Sequence, residues 1–345
     1  MAADQSPWDS MSEGQWRAFL DRRIVGVSEW RAEKLNGVTN DTWKLTPADP
    51  GKTNASYVAR HYRRTQGADE LVFELAAVRY LAEQGFPVAD VVEARDGAPF
   101  DHIQGRPCAL FKYVDGTAGD SPGETGCADL SSGLTAARLL AEMHLVTQRR
   151  TFPGSRSEYG DPIARLTQWV NSEGSDPELV DVPGGPAFLH HLTRLLHTLD
   201  TELEHRSNVW VGLVHGDVAP NNLVTDAAGE VAALLDFDDC LYSYVVYDLA
   251  SILWYWGRSA SGDLDKTRIR NLVDAYSDVR ELTADERHLL APLFAAYIAG
   301  DAIGQITWWW RGAGKPRPVA SIESGRAYLD LTTSPTAADL FVDQP

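Results

Sequence analysis

The residues best suited to chemistry lie in the stretch Leu213-Val-His-Gly-Asp-Val-Ala-Pro-Asn-Asn-Leu-Val-Thr225, where Asp217 and Asn222 stand five residues apart in a non-helical loop. A second acidic cluster, Leu234-Leu-Asp-Phe-Asp-Asp239, closes an apolar run and begins its acids 19 residues after Asp217. That spacing suggests a hairpin returning a second carboxylate to the first. Asp217, Asn222 and Asp236 are hard oxygen donors, and an open oxygen set suits Mg²⁺, which keeps several waters and completes its shell with substrate phosphates. Asn222 and Asp236 would hold the ion while Asp217 faces an attacking hydroxyl. Phosphoryl transfer needs this division of labour, because cations neutralise the phosphate oxygens and one carboxylate orients the nucleophile.

Secondary-structure elements must deliver these groups. Val209–Val214 leads as a strand into the loop, and Leu223–Thr225, a turn over Asp226–Glu230 and Val231–Leu235 form the hairpin that ends at Asp236. Near the start, Ser12 and Gln15 have capping-box spacing, and Trp16, Phe19, Leu20 and Ile24 recur at helical intervals. Strand-like runs follow at Glu29–Asn36, Asp41–Thr46 and Ser56–Tyr62. The first two are joined by Gly37-Val-Thr-Asn40, a turn able to aim backbone N–H groups at a phosphate. In the third run, alternation puts Arg60 on one face with Val58 and Tyr62. Residues 68–84 read as a helix whose apolar stripe, Leu71, Leu75, Val78 and Ala82, also carries Glu74. A carboxylate on an apolar face needs a partner, and Arg60 is the nearest candidate along the chain.

Phe86–Glu93 and Pro107–Val114 are expected to complete a small sheet, with a hinge after it. The chain therefore divides into residues 1–114 and 115–345. Helices are expected at Leu130–Gln148, around Ile163–Val170, at Phe188–His205, from Leu249 through Trp256, at Lys266–Val279, Ala284–Arg311 and around Val319–Leu331. Residues 150–187 form a long irregular insertion of the kind that often serves as a lid. His144 reads as a capping or packing residue.

The 345 residues are 44% apolar and 23% charged, ordinary globular usage with ample length for a core. No apolar stretch approaches a membrane span and the start has no leader pattern, so a cytoplasmic protein without a membrane partner is expected. The net charge of −18 argues against nucleic-acid binding. Residues 115–345 hold 17 Lys+Arg against 33 Asp+Glu, so the second part would attract a cationic partner. Cys108, Cys127 and Cys240 lack metal-type spacing.

The order Arg60, Glu74, His215-Gly-Asp217 with Asn222, then Asp236-Phe-Asp238, resembles the aminoglycoside phosphotransferase and choline kinase branch of the protein-kinase-like fold. The resemblance covers about residues 29 to 310. It implies an α+β, bilobal architecture, with a small N-terminal antiparallel sheet plus helix and a larger, mainly helical C-terminal lobe. It further implies a hinge contacting adenine near Ala109–Val114, with Ala109, Phe111 and Tyr113 in the nucleotide site, and phosphate contacts from Gly37, Asn40 and Arg60 paired to Glu74. Asp217 becomes the catalytic base, Asn222 and Asp236 the Mg²⁺ ligands, and Asp238 an aid to a second ion or a loop brace. Arg60 stands where the family has a lysine, and its planar fork meets phosphate differently. His215 and Asp248 take bracing roles.

Aromatic residues beside carboxylates suit an amine-bearing alcohol as acceptor. Trp254, Tyr255, Trp256 and Trp308–Trp310 are the aromatic candidates. An aminoglycoside or other basic antibiotic, hydroxylysine, homoserine and choline all fit, with ATP or GTP as donor. The alternatives are a stress-response type protein Ser/Thr kinase and a nucleotide-binding pseudokinase. Asp217, Asn222 and Asp236 are all present, which favours an active enzyme. Oligomeric state is not legible.

Overall fold

The computed structural model describes residues 13–27, 29–35, 40–49, 55–62, 67–120, 128–154, 162–173, 184–261, 263–304 and 341. The Gly37 turn, Trp308–Trp310, the helix expected at 319–331 and much of the 150–187 insertion lie outside them. Contacts divide the chain into two compact units. The first comprises Met1–Thr117, Thr151–Ser155 and Val224–Leu235, and the second Ala118–Arg150, Arg156–Leu223 and Asp236–Pro345. Chain order alone suggests a single break after residue 114. Spatial grouping adds two later segments to the first unit, because Val224–Leu235 carries the hairpin strands β8 (Leu223–Thr225) and β9 (Val231–Leu234).

The first unit is built on an antiparallel sheet of order β1-β2-β3-β5-β4, formed by β1 (Trp30–Lys34), β2 (Asp41–Pro47), β3 (Tyr57–His61), β4 (Phe100–Ile103) and β5 (Arg106–Lys112). Alternation along β3 buries Ala59 and His61 and leaves Arg60 half-buried. Helix α1 (Glu13–Asp21) supplies Phe19 and Leu20 to a core with Leu45, Ala59, Ile103, Cys108 and Leu110. Arg22 and Arg23, just after α1, pair with Asp101 of β4. Helix α2 (Ala68–Glu83) buries Leu71, Leu75 and Val78, with Asp69 and Glu70 in the first turn where the helix dipole favours them.

Residues 86–93 depart from the strand expected there. Only isolated bridges form, Val88 with Leu234 and Val91 with Phe111. Two causes are visible: Pro87 has no N–H to donate, and β4 occupies the edge of β5 over Arg106–Ala109, leaving only Leu110–Lys112 for residues 90–92. The strand that takes this edge is β4, delivered by the two-residue turn Gln104-Gly105. Both turn residues have positive φ (53° and 79°), as a type I′ hairpin requires.

The second unit is mainly helical: α3 (Leu130–Val146), α4 (Pro162–Glu173), α5 (Gly185–Glu204), α6 (Leu249–Trp256), α7 (Lys266–Ser277) and α8 (Ala284–Gly304). Strand β6 (Thr117–Ala118) pairs with β8 in a three-stranded sheet of order β6-β8-β9. Gly133 of α3 meets Trp256 so closely that a Cβ would fall 2.6 Å from the indole, and the Trp256 Nε1–H donates to Ser132 Oγ at 2.9 Å. Trp256 is therefore core, not pocket lining. Helix α8 opens with a reciprocal capping box, in which Glu286 N–H donates to Thr283 Oγ1 and Thr283 N–H to Glu286 Oε2, each at 3.1 Å. Among the described residues no helix is long and apolar enough to cross a membrane.

Candidate active site

Strand β7 (Val211–Val214) pairs antiparallel with β10 (Leu241–Tyr244), so the loop after β7 and the turn before β10 emerge at the same end of a two-stranded ladder. The loop is held by its backbone. The carboxylate of Asp248, which is 1% exposed, accepts the N–H of His215 at 2.5 Å and that of Gly216 at 2.8 Å. Ser251 Oγ accepts Val218 N–H at 3.2 Å while its own hydroxyl donates to the Asp248 carbonyl at 2.9 Å. His215 is fully buried, stacks edge-on against Phe237 at 4.6 Å between centroids, and its Nδ1 accepts Asp217 N–H at 3.2 Å. Gly216 has φ +87°, and a Cβ there would lie 2.6 Å from the Asp239 carbonyl oxygen. Only glycine satisfies both conditions.

Asp217 and Asn222 are brought into direct contact. The 3₁₀ turn Pro220–Asn222 swings Asn222 back, and its Nδ2 donates to the Asp217 carbonyl at 3.0 Å and to Asp217 Oδ2 at 3.2 Å. Its Oδ1 accepts from Asn221 at 3.3 Å. Asp236 follows β9 in the left-handed region (φ 67°, ψ 63°), and a second 3₁₀ turn, Phe237–Asp239, buries Asp238. Asp217 registers this acidic company. Burial, followed by the charges of Asp239, Asp236, Asp238 and Asp301, pushes its carboxyl up to about 7. Carboxylates crowded on one side of an oxygen-rich turn are the setting a hard divalent cation would relieve, so the donor types fit Mg²⁺. No group of three or more His, Cys, Asp or Glu forms a metal-holding cluster among the described residues. The candidate set is instead Asn222 with Asp236 and Asp238.

Tyr297 of α8 donates its hydroxyl to Asp217 Oδ1 at 3.4 Å, shares a hydrogen bond with Tyr255, and stacks edge-on with Tyr247 at 6.0 Å. Sequence reading missed Tyr297 and Asp301. Their i, i+4 spacing in an otherwise apolar helix is the signal that would have found them. His144, read as a packing residue, is fully buried and bridges Asp248 (3.2 Å) and Tyr276 (2.7 Å). Tyr276 also accepts from Arg280 at 3.2 Å, and Arg280 pairs with Glu286 at 2.5 Å. A buried polar chain thus runs from the loop backbone to the start of α8.

In the first unit, Arg60 Nη1 lies 3.7 Å from Glu74 Oε1, which also accepts the Tyr62 hydroxyl at 2.8 Å. Tyr62 was not singled out from sequence. The Arg60 guanidinium lies 5.6 Å from the Phe111 ring centroid, and Ala109 is its register partner across β3 and β5. Tyr113, one residue beyond β5, carries the Lys44 ammonium at 3.7 Å over its ring. Asn40 is buried at the foot of β2, and Gly37 lies outside the described residues.

The phosphotransferase enzyme family matches residues 32–282. The homoserine kinase of Caulobacter vibrioides (strain NA1000 / CB15N) is 25% identical over 293 residues, 84% of each chain. That of Bradyrhizobium sp. (strain ORS 278) is 28% identical over 249 residues, 70% of each. Among solved structures, a microcompartment-associated aminopropanol kinase matches with TM-score 0.67 at 21% identity, over 95% of this chain and 98% of that one. An amicoumacin kinase in complex with AMP-PNP, Ca²⁺ and Ami matches with TM-score 0.68 at 15% identity, over 95% and 96%. These likenesses give the fold as the protein-kinase-like one of such kinases. With the family matched over most of its length, the chain belongs to the phosphotransferase enzyme family.

Proposed function

We propose that this phosphotransferase moves the γ-phosphate of ATP, in the presence of Mg²⁺, onto the hydroxyl of a small amine-bearing alcohol. The observation that carries the reading is the paired hydrogen bond from Asn222 to Asp217, which holds a carboxylate at the tip of a braced loop beside further acids. Asp217 takes the proton of the acceptor hydroxyl as the new O–P bond forms and the bond to the bridging oxygen breaks, releasing ADP. Burial, the first cause of its raised carboxyl, favours proton uptake by Asp217. Asn222 and Asp236, with Asp238 adjacent, would hold the Mg²⁺, which supplies charge neutralisation of the phosphate oxygens. Arg60, oriented by Glu74, would contact a phosphate, and Ala109, Phe111 and Tyr113 would line the adenine site.

The acceptor class rests on the second unit. Tyr297, Tyr255 and Asp301 accompany Asp217, and aromatic faces with carboxylates favour an ammonium. Relatives named homoserine kinase, aminopropanol kinase and ethanolamine kinase all have amine-bearing alcohols in their names. The test is ADP release from Mg-ATP across a panel of amino alcohols, basic antibiotics and protein. Stimulation by small amino alcohols supports the reading. ATP binding with no stimulated turnover would replace it with a nucleotide-binding module.

A further inference from the structure

Helix α3 is followed by a turn with Arg149 in the left-handed region (φ 61°), and the Arg150 carbonyl accepts the Tyr242 hydroxyl at 2.7 Å. The segment that comes next, Thr151–Ser155, opens the irregular insertion yet belongs to the first unit. Phe152 sets its ring edge-on against Phe73 and Tyr80 of α2, at 6.1 and 5.7 Å between centroids. Gly154 lies on the backbone of the same helix. A Cβ there would fall 2.1 Å from the Asp69 carbonyl oxygen and 3.0 Å from the Phe73 nitrogen, at a φ of +82° that already favours glycine. Asp69, Phe73 and Tyr80 are spaced to fall along one side of α2.

Glu74 follows Phe73 and sits on the adjoining face. It is 1% exposed, and its Oε1 lies 3.7 Å from Arg60 Nη1 and accepts the Tyr62 hydroxyl at 2.8 Å. Successive residues on a helix point about 100° apart, so Phe152 on one side and Arg60 with Tyr62 on the other hold α2 from two directions. The ring of Phe152 thus resists a rotation of α2 that would carry Glu74 away from Arg60. We infer that Phe152 is a positioning residue for nucleotide binding: seated on Phe73 and Tyr80, it keeps Glu74 of α2 against Arg60. The inference rests on the proposed phosphate contact of Arg60 and adds the residue that sets it. Release of α2 would turn the Arg60 guanidinium away from a phosphate while leaving Ala109 and Phe111 of β5 in place for the base. The loss is therefore selective for ligands that carry phosphates.

Calorimetric affinities for Mg-AMP-PNP and for adenosine, measured on the full chain, separate this role from plain packing, with thermal melts as the folding control. Phe152→Ala should bind Mg-AMP-PNP about 5- to 50-fold more weakly and adenosine as the parent does. Gly154→Ala, which drives the segment off the helix, should reproduce this pattern. Phe152→Leu keeps the apolar bulk and should recover most of the affinity. In a Glu74→Gln background, itself weakened for Mg-AMP-PNP, Phe152→Ala should cost nothing further. Equal weakening for both ligands, or the same loss with and without Glu74, marks packing alone and overturns the inference. Parent-like binding by Phe152→Ala while Glu74→Gln is weakened also overturns it, and leaves the Arg60 assignment standing. Parent-like binding by Glu74→Gln overturns the Arg60–Glu74 assignment and the inference with it.

Discussion

Asn222 holds Asp217 at two points, donating one amide group to its backbone carbonyl at 3.0 Å and to its carboxylate at 3.2 Å. The amide thereby fixes its own orientation, with nitrogen toward Asp217 and oxygen on the opposite side. On the proposed assignment of Asn222 to the Mg²⁺ site, an Asn222→Ala protein should need roughly 10- to 100-fold more Mg²⁺ for half-maximal rate, because that site would lose an oxygen whose direction is set by this contact. A Mg²⁺ titration at saturating ATP reads this directly.

Gly216 is under two constraints at once, a φ of +87° and an approach of 2.6 Å between a notional Cβ and the Asp239 carbonyl. Gly216→Ala should cost about 1–3 kcal/mol and move Asp217 relative to Asp236. Denaturant unfolding gives the first quantity. A kcat loss at unchanged ATP affinity reports the second.

The Arg280–Glu286 pair is buried, at 6% and 0% side-chain exposure, and Glu286 also accepts the N–H groups of Trp210 and Thr283. Removing one charge strands the other, so Arg280→Met should destabilise by about 3–5 kcal/mol. Adding Glu286→Gln should recover part of that cost. A double-mutant cycle by urea unfolding checks the sign of the coupling.

Burial holds the His144 imidazole below its ordinary 6.5, against the raising effect of Asp248. Between the depressed value and 6.5 the unfolded chain binds a proton that the folded one refuses, so stability falls as pH drops through that window and is fully retained above it. The slope is at most roughly 1.4 kcal/mol per pH unit for one group. His61, also depressed, mainly by burial, adds in the same direction. The raised carboxyl of Asp217 opposes it, since the folded state takes up that proton first as pH falls below about 7. The comparison is therefore parent against His144→Gln, with His61 and Asp217 present in both. Melting temperatures between pH 7.5 and 5 should decline less steeply in the variant.

Much of this architecture was legible in the sequence, for physical reasons that differ by region. Helices α2, α3, α6 and α7 announce themselves because each has an apolar stripe of helical period. Asp217, Asn222 and Asp236 could be grouped because turn residues on both sides of short strands require a hairpin. Strand β4 escaped notice: it is four residues of mixed polarity, Phe-Asp-His-Ile, and its cue is the Gln104-Gly105 turn, while the more apolar 86–93 run lost the sheet edge. Tyr297 and Asp301 escaped because they lie about 80 residues beyond the loop, and only tertiary packing of α8 brings them to it. His144 looked like packing and is packing of a polar kind, bonded to Asp248, which steadies the loop.

The central claim is that Asp217 accepts the proton of a small alcohol during phosphoryl transfer from ATP. It is tested most directly by incubating parent and Asp217→Asn protein with Mg-ATP and homoserine, and measuring the phosphorylated product by mass alongside ATP affinity. The account predicts product from the parent, a rate lower by about 10²–10⁴-fold in the variant, and ATP affinity kept within a few-fold. Equal rates of product formation by the two proteins would contradict it.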